Sequence, residues 1–262
     1  MKRCAFFLFV ILFAPPVFAG SGFTWMGALI ESLHLPKAFG PILTFALIGF
    51  FLALIGFIYR AKISRIENTV IPDKGVSFRN IVEAYGQFIY DQCKSVLGEG
   101  QAYKYFPFIA TLFIFIFLSN IIGLIPGFLP PTEYLTTTFA LGVLAFIYYN
   151  YKGCREVGTF NYLKHFAGPM LILAPLIFPI EILSNVIRPV SLALRLRGNM
   201  YGDHTVLSVF TDLAPGGLVI PVIFMFMGLL VSFIQAYVFT SLTMVYISLA
   251  TAHHDHGEEG HH

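Results

Sequence analysis

The chain has 262 residues, of which 57% are apolar or aromatic and only 11% are charged. Soluble domains carry roughly a quarter charged residues, so a cytosolic enzyme and a disordered chain are both excluded. A net charge of +2 gives no electrostatic reason to bind nucleic acid, and a mean hydropathy of +0.77 identifies an integral membrane protein.

Lys2 and Arg3 precede an apolar run from Cys4 to Phe13 and the stretch Pro15-Pro16-Val17-Phe18-Ala19. A short basic region, an apolar core and a small-residue cleavage site make a signal peptide, expected over residues 1–19. An uncleaved first span is the alternative; either way the chain emerges at Gly20 outside the cytoplasm. Residues 20–250 then read as a single integral membrane domain, with apolar segments at 39–59, 106–125, 135–149, 169–211 and 217–250.

Between the first two segments, Phe78, Ile81, Val82, Tyr85, Phe88, Ile89, Val96 and Leu97 recur at helical spacing, with Arg79, Glu83, Gln87, Asp91 and Lys94 between them. That periodicity predicts an amphipathic helix on the membrane surface. Its side of the membrane follows from the basic residues, which gather in cytoplasmic loops. Arg60, Lys62, Arg65, Lys74, Arg79, Lys94 and Lys104 fall between the first two segments, and Lys152, Arg155 and Lys164 follow the third. None falls in 126–136 or 211–217. The mature N-terminus is therefore expected outside, and the surface helix and the C-terminus inside. Cys93 and Cys154 then lie on cytoplasmic segments, where thiols stay reduced.

The last two apolar segments exceed an ordinary span. At 1.5 Å per residue they would be about 65 Å and 50 Å long, against a hydrocarbon core of about 30 Å. Each must tilt steeply, kink or break, with Pro189 the candidate kink. Ala214-Pro215-Gly216-Gly217 marks a reversal that makes the pair an antiparallel hairpin. The expected fold is all-α: an N-terminal span, a cytoplasmic-surface amphipathic helix, a transmembrane hairpin, then two long, steeply tilted antiparallel helices.

Arg188, Arg195 and Arg197 sit inside the fourth apolar segment, where an arginine costs from about 3 to more than 10 kcal/mol unless it is paired or faces water. At about 100° per residue, Glu181, Asn185, Arg188, Ser191, Arg195, Asn199 and Asp203 share one face, and Arg197 and His204 point the other way. Glu181 and Arg188, two turns apart, are placed to pair. Arg195 has no carboxylate within reach on its own face before Asp203, roughly 12 Å along the axis, so its counter-charge must come from elsewhere. Gln235, with Ser232 one turn before it, lies as far from the turn near Pro215 as Arg195 does, which sets the two opposite each other in the hairpin.

Arg188-Pro-Val-Ser-Leu-Ala-Leu-Arg195-Leu-Arg197-Gly-Asn199-Met-Tyr-Gly resembles the signature of subunit a of F-type ATP synthases. Ile234-Gln235-Ala-Tyr-Val-Phe-Thr-Ser-Leu-Thr-Met-Val-Tyr246 resembles that family's last helix, and Ser119-Asn120-Ile-Ile-Gly-Leu-Ile-Pro126 an earlier span. The likeness covers roughly 40–250. It implies a bacterial inner-membrane stator subunit beside a c-ring and b-type peripheral stalk subunits, with two half-channels for protons, no catalytic chemistry of its own, and no cofactor or metal. By the same likeness, Arg195 faces the ring carboxylate with Gln235 near it. Asn199, Asp203 and His204 belong to the outer half-channel, and Glu181, Asn185 and Arg188 to the cytoplasmic one. Two departures stand out. Arg197 replaces an apolar residue of the motif. Gly228 stands where many relatives complete an acid–histidine pair with position 204, and Asp203 is the available substitute.

Other classes fit less well. A self-contained transporter binding an anion at Arg195 would commonly show an internal repeat, and none is evident. Ser191 and His204 lie on different faces, which speaks against an intramembrane hydrolase. The tail 251–262, with His253, His254, Asp255, His256, His261 and His262, offers donors that metals accept but no structural zinc spacing. It is read as a solvated cytoplasmic tail.

Overall fold

A computed structural model describes residues 24–32, 34, 36, 39–63, 75, 77–125, 127–158, 162, 174–213 and 219–251. The expected signal peptide, the reversal at 214–217 and nearly all of the His-rich tail lie outside the described residues. Seven α-helices follow one another among the described residues: α1 (Trp25–Ser32), α2 (Gly40–Ile63), α3 (Phe78–Leu97), α4 (Glu99–Ile121), α5 (Leu135–Val157), α6 (Ala174–Leu213) and α7 (Val219–Thr251). Short 3-10 turns at Ile122–Leu124 and Pro131–Glu133 shape the link from α4 to α5. No strand occurs among the described residues, and the chain is an all-α membrane protein.

Among the described residues, four stretches are long and apolar enough to cross a membrane: Gly40–Ile63, Glu99–Leu124, Ile177–Leu207 and Ile223–Thr251. The segment expected at 135–149 is longer as a helix than as an apolar run. Its 23 residues reach about 35 Å, but Thr136, Thr137 and Thr138 open it and Tyr148, Tyr149, Asn150, Tyr151 and Lys152 close it. α5 is therefore the polar arm of the expected hairpin.

The helices contribute to two compact units. One comprises the described residues up to Ala53, with Phe115–Thr138 and Arg195–Ala236; the other comprises Leu54–Ile114, Phe139–Leu194 and the described residues from Tyr237 onward. In the first, the ring of Phe45 meets that of Phe115 edge-on at 4.5 Å, and Phe117 meets Phe233. α1, which the sequence reading did not anticipate, docks here. The side chain of Thr24 accepts from the Gly27 N–H, the Trp25 N–H donates to the Gly127 carbonyl at 2.9 Å, and the indole lies against Gly127. Gly127 has φ +84°, a conformation that only glycine adopts freely.

In the second unit, Ser77 and Gly98 cap α3. Gly98 supplies the positive φ common at a helix end. The helix is amphipathic as its periodicity requires: Arg79, Ile89 and Cys93 are buried, while Phe78, Ile81 and Phe88 remain exposed. Arg79 is neutralised by Glu83 one turn on, with Nε to Oε1 at 2.5 Å, which permits its burial. α4 and α5 join through Glu156, which accepts from Lys104 and from the Tyr105 hydroxyl, and through the stacked rings of Phe108 and Tyr148 at 3.6 Å. α5 closes on α6 at Gly142, where an added Cβ would stand 2.6 Å from the Pro189 carbonyl oxygen.

α6 runs unbroken through Pro179 and Pro189, so of the three alternatives of tilt, kink and break, the break is excluded. A proline withdraws an N–H and leaves the carbonyl four residues earlier unpaired. For Pro189 that carbonyl belongs to Asn185, and the Tyr149 hydroxyl reaches it at 3.3 Å. With 40 residues, α6 extends about 60 Å, so it inclines steeply or projects beyond the hydrocarbon.

Candidate functional site

Within the first unit, the partners of α6 and α7 run in opposite sense. The Asn199 side-chain amide donates to Gln235 Oε1 at 2.5 Å, while Asp203, one turn further along α6, lies against Gly228, about two turns earlier on α7. The two helices are thus antiparallel, as their sequence implies. Gln235 is set against Asn199, one turn beyond Arg195. It is buried, and its Nε2 has no hydrogen-bond partner among the described residues.

The carboxylate of Asp203 occupies the room left by the missing side chain of Gly228: a Cβ there would stand 2.7 Å from Asp203 Oδ2. The neighbouring His204 faces the 3-10 turn after α4, where a Cβ on Gly123 would lie 2.6 Å from its Nε2 and 2.8 Å from the Pro130 ring. Two glycines, one in that turn and one on α7, therefore admit an imidazole and an acid from adjacent residues of α6. Their side chains diverge as the helical wheel requires.

Polar groups to which the sequence reading gave no site role join this unit, among them Ser119 and Asn120 of the Ser119–Pro126 motif. Ser119 and Asn120 are buried at the end of α4, and the Thr132 hydroxyl donates to Asn120 Oδ1 at 2.8 Å. Ser119 Oγ, Asn120 Nδ2, Glu133 Oε2, Ser232 Oγ and Gln235 Nε2 are buried without a partner among the described residues. A buried polar atom left unpaired costs about 1–3 kcal/mol, so five in one unit mark a region suited to hydration. The signal that would have found Ser119 and Asn120 is their polarity inside an apolar segment.

Arg195 is exposed. No hydrogen bond, ion pair or aromatic ring engages it among the described residues, and it differs in this from Arg188 and Arg197. Arg197 Nε donates to the Glu133 carbonyl at 3.3 Å. The guanidinium of Arg188 lies over the Tyr246 ring, 5.2 Å from its centroid, a cation–π contact. The Glu181–Arg188 ion pair anticipated from their spacing is not formed: the guanidinium is taken up by the aromatic face.

Asn185, in the second unit, is buried. Its Oδ1 accepts from the Tyr149 hydroxyl at 2.7 Å, and its amide donates to Asn150 Oδ1 at 3.1 Å, which also accepts from the Tyr162 hydroxyl at 2.8 Å. This network holds α5 to α6, and Asn185 is occupied by it. Glu181 and Arg188, half-buried, both act electrostatically on Tyr162. Among the described residues no three His, Cys, Asp or Glu side chains gather closely enough to hold a metal ion.

Comparison with known sequences decides the family. The family described as ATP synthase A chain matches residues 41–248, which include every site residue above. The chain belongs to the ATP synthase A chain family. It is 50% identical over 202 residues to ATP synthase subunit a of Bdellovibrio bacteriovorus, covering 77% of this chain and 86% of that one. It is 42% identical over 227 residues to ATP synthase subunit a of Geobacter sulfurreducens, covering 86% and 94%. With the homologue of Sorangium cellulosum the identity is 40% over 216 residues, covering 82% and 84%. Together with its four apolar helices, the ATP synthase A chain assignment makes this a multi-pass membrane component of ATP synthase.

Proposed function

We propose that the chain is the proton-translocating stator subunit, and that Arg195 strips the proton from a carboxylate on each passing subunit of a c-ring. The single observation that carries this reading is the free Arg195 guanidinium, exposed on α6 and unpaired among the described residues. Exposed Leu194 precedes it, and exposed Ile187 lies about two turns earlier on the same helix. An unpaired cation on an apolar helix face is costly in lipid and is stabilised when an anion docks there.

The mechanism needs no covalent step. A ring carboxyl must be neutral to face hydrocarbon. Beside Arg195, opposite charges at ~4 Å interact by about 4 kcal/mol at an effective dielectric of 20, equivalent to about three pKa units. The ring carboxyl therefore ionises on arriving at Arg195 and is reprotonated on leaving it. The arginine also separates the two water paths and blocks a direct leak. Asn199, Asp203 and His204 line the outer path, and the five unpartnered polar atoms of the same unit support its hydration. Glu181 and Arg188 serve the cytoplasmic path, with Asn185 bracing its wall. Gln235 keeps Asn199 in place one turn from Arg195. A b-type peripheral stalk holds the subunit against the ring, and the mature N-terminus lies outside the cytoplasm.

Arg195→Ala is expected to abolish ATP synthesis and ATP-driven proton pumping in an assembled complex that still co-purifies with the ring. Normal pumping by that variant overturns the reading. Gln235→Leu is expected to lower the coupled rate and leave it measurable.

A further inference from the structure

Arg197 has no place in the mechanism above and Glu133 enters it only through the unpartnered Oε2, yet the fold brings the two residues together. Glu133 ends the 3-10 turn Pro131–Glu133 in the link that carries no lysine or arginine. Its side chain is half-buried, and Oε2 is enclosed without a partner among the described residues. Arg197 reaches this link from α6 and donates to the Glu133 backbone carbonyl at 3.3 Å, and no ion pair closes between guanidinium and carboxylate. Proximity to a cation favours the carboxylate and burial favours the acid; here burial is the larger influence and raises the Glu133 carboxyl above its ordinary value, with Arg197 pulling the other way. A carboxylate clamped by arginine would be held ionised. Here the pair stays open and Oε2 is enclosed, which favours the protonated form instead.

The surroundings extend inward. Thr132, the preceding residue, is bonded to Asn120, whose Nδ2 is itself unpartnered. Pro130, at the start of the same turn, lies against Gly123 together with the His204 imidazole. The charged and titratable groups facing Glu133 are Arg197 on α6 and Tyr134 on its own link.

We propose that Glu133 is the proton-collecting carboxyl at the outer mouth of the path, and that Arg197 is a positioning residue holding the link that carries it. The carboxylate binds a proton from the outer aqueous phase and releases it inward toward His204 and Asp203. No other bond changes, and the group returns to its anionic form for the next proton. This inference rests on reading the chain as a proton-translocating stator.

The test uses the intact ATP synthase in membrane vesicles, with Arg195→Ala as the reference. Glu133→Gln is expected to lower ATP-driven pumping about tenfold, less than the roughly 10²-fold minimum of a group at the reacting centre, and Glu133→Asp to retain most of it. Arg197→Leu is expected to shift the pH profile of pumping. Parent-level pumping by Glu133→Gln, with Arg195→Ala inactive, overturns this proposal and leaves the stator reading intact. Pumping by Arg195→Ala sinks the stator reading itself. An assembly-independent arm uses Glu133→Cys in a chain whose other cysteines are replaced. Alkylation of the assembled complex with iodoacetate, which restores a carboxylate, should recover pumping, and iodoacetamide should not. An equal effect of the two reagents overturns the role of the carboxyl.

Discussion

Arg195, Asp203 and Gly228 carry most of the functional weight, and each acts through what its surroundings lack. Arg195 has no acid partner among the described residues, whereas Arg188 has an aromatic face and Arg197 a backbone carbonyl. Gly228 lacks a side chain, and the space is taken by Asp203 Oδ2 and Leu124 Cδ2. Both of these atoms end short, flexible side chains. Gly228→Ala is therefore expected to cost about 1 kcal/mol, the low end of the overpacking range, while displacing the carboxylate. Proton pumping should fall severalfold with the melting temperature nearly unchanged. If Asp203 is the affected group, adding Gly228→Ala to Asp203→Asn should change the pumping rate no further, a non-additivity expected of residues in contact.

Among the elements, α5 and α6 show how polar residues are spent on holding helices together. The Tyr149 hydroxyl serves both the side chain of Asn185 and the carbonyl released by Pro189. Tyr149→Phe should leave buried acceptors unsatisfied and destabilise the subunit by about 1–3 kcal/mol, visible as faster proteolysis of the solubilised complex and a lower thermal midpoint. Unchanged stability would mean that Asn185 is free to face the path instead. Gly142 makes the same contact possible from the other side, since its missing Cβ lets the Pro189 carbonyl approach. A proline that reads as a helix breaker in isolation is thus held within a continuous helix, with a neighbouring helix supplying a donor to the freed carbonyl.

At the scale of the whole molecule, the charge distribution and the helix order make a joint prediction about topology. If α5 crosses the membrane despite its polar ends, the link before it lies outside and its last turns lie in the cytoplasm. With Cys4 and Cys154 replaced, Leu129→Cys should react with a membrane-impermeant maleimide only from the outer face. Tyr151→Cys should react only from the cytoplasmic face. Cys93 will not confuse the result: it is buried, and burial pushes its thiol up to about 11, so little thiolate exists at neutral pH. Labelling of both positions from one side would place α5 along a membrane face.

Composition, hydropathy and basic-residue spacing are local properties, and they determined from the sequence alone that the chain is an all-α membrane protein with two unusually long final helices. The motif around Arg195 and the helix of Gln235 were equally legible, because both are contiguous. The partners of Glu133, His204, Asp203 and Asn185 were not, since each lies on a helix or link distant in sequence. Only tertiary structure decided that glycines at 123 and 228 accommodate an imidazole and a carboxylate, that Tyr246 takes the arginine meant for Glu181, and that Tyr149 keeps α6 continuous through Pro189. Which groups fill a space, or satisfy a freed carbonyl, depends on helices brought together by folding, and a one-dimensional pattern does not hold that information.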